Sequence, residues 1–71
     1  MMVFKPMKRS DVVAALRASG CVSLRNRGGH EVWGCPCGAH TAPLPNGRHI
    51  TAGVVRAIAK EMTCLRKGWL Q

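Results

Sequence analysis

Two stretches with helical periodicity bracket thirty residues (21–50) that turn-forming clusters cut into short pieces. SDVVAALRASG (10–20) opens on Ser10 as an N-cap with Asp11 at the positive helix end. Val12, Val13 and Leu16 form one apolar stripe, and Gly20 sits where a left-handed C-cap is wanted. The second stretch starts at Thr51, another cap, and repeats Val54, Val55, Ile58, Ala59 and Met62 at helical spacing, with Arg56 and Lys60 opposite. Between them, NRGG (26–29), Pro36–Gly38 and PNGRH (45–49) leave room for three strands, over 21–25, 30–35 and 39–44. Pro43 implies that the end of the third strand lies at a sheet edge or is already leaving the sheet. The expected order is α-β-β-β-α. That is an α+β domain, a three-stranded antiparallel sheet with two helices on one face and the other face open.

A chain of 71 residues makes one domain over 1–71 and buries only about 60% of its unfolded surface. With two Trp and one Phe, the core must be filled largely by aliphatic side chains. By strand parity Trp33 faces away from His30 and toward the helices. Residues 1–8, with Pro6, read as an extended leader. Residues 64–71 read as a tail that continues the second helix until Gly68 stops it, after which Trp69 and Leu70 fold back onto the core.

Eleven Lys and Arg against three acids give a formal net charge of +8, which points to an anionic partner, nucleic acid first. Seven of the eleven are Arg, the residue suited to bidentate phosphate contacts. No stretch approaches the roughly 20 apolar residues of a membrane span, so no membrane partner is expected. MMVFKPMKRS lacks the apolar centre of a secretory signal. The expected location is cytoplasmic, with Cys21, Cys35, Cys37 and Cys64 reduced.

The chemistry is concentrated in LRNRGGHEVWGCPCGAH (24–40). Cys35 and Cys37 flank a single Pro36, whereas a zinc knuckle places two residues between thiolates, and one intervening residue tends to splay the side chains. A disulfide there closes a tight, strained ring. Cys21 and Cys64 read as buried small hydrophobes. The expectation is therefore no metal and no cofactor. His30 is the candidate general acid or base. Gly28 and Gly29 remove bulk before it and allow a backbone to approach, and Arg25 and Arg27 flank the same turn. An imidazole beside guanidiniums is what RNA cleavage without a metal requires. Lys8 and Arg9 precede a helix N-terminus, where cations make sense if a phosphate docks there. Lys8 and Arg48 join the candidate phosphate contacts, while His40 and His49 are the weaker histidine candidates.

The run from DVVAALRASGCVSLRNRGGHEVW through HTAPLP to ITAGVVRAIAKEM, roughly residues 7–63, resembles the HicA family of bacterial toxins. The resemblance implies a double-stranded-RNA-binding-like fold and an mRNA-cleaving endoribonuclease held in check by a HicB-like antitoxin protein. On this likeness His30 takes the place of the family's proposed catalytic histidine, and Gly29 that of the glycine before it. The family's fold commonly carries a lysine cluster where the second helix starts. Here that segment is TAGVV, so binding of duplex RNA in that mode is not implied.

Two rival classes stand beside the nuclease reading. A non-catalytic RNA-binding module would use the same face and leave RNA intact. A small zinc-stabilised binding domain would hold stoichiometric metal and unfold on chelation.

Overall fold

A computed structural model describes residues 3–71. Met1 and Met2 of the expected leader lie outside the described residues. The elements run β1 (Met7–Lys8), α1 (Arg9–Ala18), β2 (Val22–Arg27), β3 (His30–Gly34), β4 (Thr41–Pro45), β5 (His49–Ile50) and α2 (Ala52–Glu61). Strands β2, β3 and β4 form an antiparallel sheet in that spatial order, so the domain is α+β with a three-stranded antiparallel sheet and two helices. The additional strands β1 and β5 pair antiparallel, with Met7 opposite Ile50 and Lys8 opposite His49.

That small ribbon corrects two expectations. The leader's last two residues are a strand, and PNGRH is a loop only until His49. It also changes how α1 begins. The backbone leaves β1 directly into the helix, Lys8 occupies the cap position with no side-chain hydrogen bond, and Ser10 lies inside the first turn. The amide of Arg9 donates to the carbonyl of Arg48 at 2.8 Å, so β5's approach satisfies the first free donor of the helix.

The end of α1 follows the sequence. Gly20 adopts φ +85°, its amide donates to the Arg17 carbonyl, and the Cys21 amide donates to the Leu16 carbonyl. These two bonds make a Schellman closure, which a left-handed glycine permits without a Cβ clash. Thr51 caps α2 as expected, accepting from the Val54 amide. α2 stops at Glu61 rather than running on toward Gly68, and residues 62–71 form successive turns. Met62 is buried at that stop, and Leu70 and Trp69 return to the core.

Alternation decides which sheet face is dry. Trp33 on β3 and Ala42 and Leu44 on β4 are buried and join Val12 and Leu16 of α1 and Val55 and Ile58 of α2 in one cluster. Fully burying each aliphatic side chain is worth about 1.5–3 kcal/mol, so this single cluster is what holds the domain together. The register sets Arg27, His30 and Pro45, and two residues along Arg25, Val32 and Pro43, on the opposite face. That face is open. Val22 and Leu24 remain 56% and 50% exposed there, so β2 contributes little to the core. A register shift between Ser23 and Arg25 lets Leu24 lie against Gly34, where an added Cβ would stand 2.9 Å from its Cδ1.

Candidate functional site

Gly28 and Gly29 form the two-residue turn between β2 and β3, with φ of +54° and +83°. Two consecutive positive φ values give a turn whose twist matches that of the strands, a conformation in which glycine carries no steric cost. The turn sets Arg27 directly opposite His30 and Arg25 opposite Val32. Cross-strand partners share a face, so Arg25, Arg27 and His30 stand together on the open side of the sheet. All three are exposed. Nothing lies within 4 Å of where a Cβ would project from Gly28 or Gly29, so the space over the turn is free.

Lys8 and Arg48 belong to a second, adjacent group. They line an open groove of about 470 Å³ together with Arg9, Ser10, Asn46 and His49. The two groups meet at β4's end: His30 is opposite Pro45, and the next residue, Asn46, donates its amide to the Gly29 carbonyl at 3.0 Å. The structure thus gathers Arg25, Arg27, Gly28, Gly29, His30, Lys8 and Arg48 around one end of the sheet, in two clusters joined by residues 45–46, whereas His40 lies at the other end. His49, the weaker sequence candidate, joins the groove as the cross-strand partner of Lys8.

Arg9 is the exception among the cations. Its Nη2 donates to Glu31 Oε1 and its Nε donates to the Pro45 carbonyl at 3.1 Å. Together with the Arg9 amide bond to Arg48, these contacts make Arg9 a clamp between α1 and the sheet. Its guanidinium and its amide both have partners, so the expected anion seat between Lys8, Arg9 and free helix amides does not form as drawn. Glu31 also accepts from Ser23 Oγ at 2.7 Å and Trp33 Nε1 at 2.9 Å. The Ser23 hydrogen bond, with the bonds and charge from Arg9 and the Trp33 bond, holds the Glu31 carboxyl below the usual range against the opposing effect of its partial desolvation.

At the other end of β3 lies a constellation that sequence reasoning missed. Ligand atoms of Cys35, Cys37, His40 and Cys64 all fall within 4.8 Å of one another. The expectations that one intervening residue splays the two thiols and that all four cysteines are reduced are overturned: Cys35 and Cys37 are joined in a disulfide, with the Cα atoms 5.4 Å apart, and Cys21 and Cys64 are free. The cause is the turn. Gly38 takes φ +78° and donates its amide to the Cys35 carbonyl, folding Cys37 back over Cys35. The Cys35 amide then donates to the His40 carbonyl, bringing His40 to the same end. His40 Nδ1 lies 3.5 Å from Cys35 Sγ and 3.1 Å from Cys37 Sγ, and its Nε2 lies 3.2 Å from Thr63 Oγ1.

Cys64 is exposed rather than buried, because α2 ends early and the following turn delivers it to the cluster. The one sequence signal for this was the pair CPCGAH plus a cysteine just past a helix. The gap between the two is too long, and the first spacing too short, for a pattern read along the chain. Cys21 does behave as expected. It is buried, and burial first, then the nearby Cys64, push its thiol up, so it remains a neutral packing residue.

Among the described residues no helix is long and apolar enough to cross a membrane. No family model, curated protein or solved structure matches the chain.

Proposed function

We propose that the protein is an endoribonuclease that cleaves mRNA, the toxin of a type II toxin–antitoxin pair of the HicA kind, on a double-stranded-RNA-binding-like fold. The observation that supports the reading is the placement of His30. It stands exposed on the open sheet face, opposite Arg27 and on the same side as Arg25, next to a glycine turn with free space above it.

In this reading an RNA strand crosses the open face with its phosphates on Arg25 and Arg27, and Lys8 and Arg48 hold the strand where it continues into the groove. The His30 imidazole takes the proton from a ribose 2′-OH, and that oxygen attacks the adjacent phosphorus. The bond to the 5′-oxygen breaks, that oxygen acquires a proton, and a cyclic phosphate remains. Guanidiniums bound to the phosphoryl oxygens stabilise the charge that builds in the transition state. Gly28 and Gly29 let the RNA backbone come close to the turn. The same basic face suits an acidic surface of an antitoxin protein, which would silence the enzyme by covering His30.

Inducible expression of the chain beside its His30→Ala form tests the reading, with growth and mRNA integrity scored together. Arrest with mRNA loss in the parent only is the expected result. Equal arrest by both forms overturns His30 as the base. Salt-sensitive RNA binding by a purified chain that leaves RNA intact would make it a non-catalytic binding module instead.

A further inference from the structure

We propose that Cys35, Cys37, His40 and Cys64 form a structural zinc site that fastens the segment after α2 to the far end of the sheet. The four donors come from two places, the β3–β4 turn and the turn after α2, and converge within 4.8 Å. Zinc bonded at about 2.3 Å to sulfur and about 2.0 Å to nitrogen spaces its tetrahedral ligand atoms by roughly 3.5–3.8 Å. The 3.5 Å and 3.1 Å separations of His40 Nδ1 from Cys35 and Cys37 Sγ approach that spacing, whereas the two sulfurs, bonded to each other here, reach it only in the reduced chain.

The surroundings are those of a metal ligand shell. With Nδ1 turned to the sulfurs, Nε2 meets Thr63 Oγ1, a partner that fixes the ring's tautomer and orientation. The Ala39 amide donates to Cys37 Sγ at 3.4 Å, a contact that orients the sulfur. Three sulfurs and one imidazole, with no carboxylate in the set, select a thiophilic ion such as zinc over magnesium or calcium.

A thiol reductant first opens the Cys35–Cys37 disulfide, taking its own oxidised form and leaving two thiols; on binding, these and the Cys64 thiol give their protons to solvent. The dication then takes three thiolates and a neutral imidazole, for a net site charge of −1. Four protein ligands close the coordination sphere, so the site is structural rather than catalytic. It also stands at the opposite end of β3 from His30, about 16 Å along a five-residue strand. A domain of 71 residues has a small core, and such chains gain most from a metal staple. The proposal is independent of RNA cleavage.

The test is elemental analysis of the full chain purified under reducing conditions, followed by melting with and without a chelator. The expected result is one zinc per chain, loss of the folded state on chelation, and recovery with one equivalent of zinc. Cys64→Ser and His40→Ala should lose the metal, while Cys21→Ala, outside the cluster, should keep it. Should the ligand variants fail to fold, cobalt(II) titration of the parent reads the site directly, through the visible bands of a tetrahedral thiolate complex. A reduced, folded, zinc-free chain whose melting zinc does not change overturns the proposal. So does a folded, metal-free chain whose mass shows Cys35 and Cys37 joined in a disulfide, since that bond removes two of the four ligands.

Discussion

Arg9 Nη2 and Glu31 Oε1 lie 2.6 Å apart, joining the first turn of α1 to the start of the sheet's central strand. Both side chains are mostly shielded, at 26% and 21% exposure, and both carry further hydrogen bonds, Arg9 to Pro45 and Glu31 to Ser23 and Trp33. An ion pair set in a network of this kind matters more than an isolated surface pair, because removing one member strands the others. It orients the strand that carries His30 relative to the groove that carries Lys8 and Arg48.

Glu31→Gln should therefore destabilise the fold by about 1–3 kcal/mol, the usual cost when a charge-assisted hydrogen-bond acceptor is lost. The pH dependence fixes the sign. The Glu31 carboxyl is held below its ordinary range, chiefly by the Ser23 bond and then by Arg9 and Trp33. The stability it contributes is present above the ordinary carboxylate pKa and is lost as pH falls through the lower folded-state value. Melting temperature followed from neutral to acidic pH should drop in the parent, and drop less in Glu31→Gln. Parallel curves would assign the acid sensitivity to other groups.

His30→Ala should leave the fold unchanged, because the side chain is exposed, and lower RNA cleavage by about 100-fold or more, the usual contribution of a general acid or base. Circular dichroism and a cleavage assay without added divalent ion report the two effects separately. A folded variant with parental cleavage rates would remove His30 from the reaction.

Arg25→Ala and Arg27→Ala should each weaken RNA binding without regard to sequence, lowering the slope of log K against log salt by about one. Arg9→Ala should differ in kind. Its guanidinium is occupied by Glu31 and Pro45, so the variant should lose melting temperature first. Salt titrations of RNA binding beside thermal melts separate the two classes.

Gly29→Ala should destabilise by about 1–2 kcal/mol although open space surrounds the new methyl group, because φ is +83° and the cost is backbone strain rather than crowding. Gly47→Ala, where φ is not positive and space is equally open, should cost less. Equal losses in chemical denaturation at the two positions would show that the β2–β3 turn tolerates a side chain.

Much of this molecule is written in local patterns. The Gly20 closure of α1, the Thr51 cap of α2, the glycine turn before His30, the edge position of β4 and the inward face of Trp33 all depend on spacings within a few residues. Elementary sterics and hydrogen bonding decide such features wherever the chain goes next. The same locality made Arg25, Arg27 and His30 legible as a group, since a two-residue turn leaves one possible pairing.

What the sequence could not decide were the meetings of distant segments. Ser10 has the chemistry of a cap, but the helix starts one residue earlier, at Arg9, where the chain leaves the β1–β5 ribbon. Glu31 looked like one acid among three, and three partners from separate elements define its role. Cys35, Cys37 and His40 sit in a spacing that argues against a metal, and Cys64 lies far along the chain. A left-handed Gly38 and the early end of α2 bring all four to one point. Local propensity is fixed by neighbours along the chain, whereas a ligand cluster is fixed by how helices and strands pack. Only the tertiary structure contains that information.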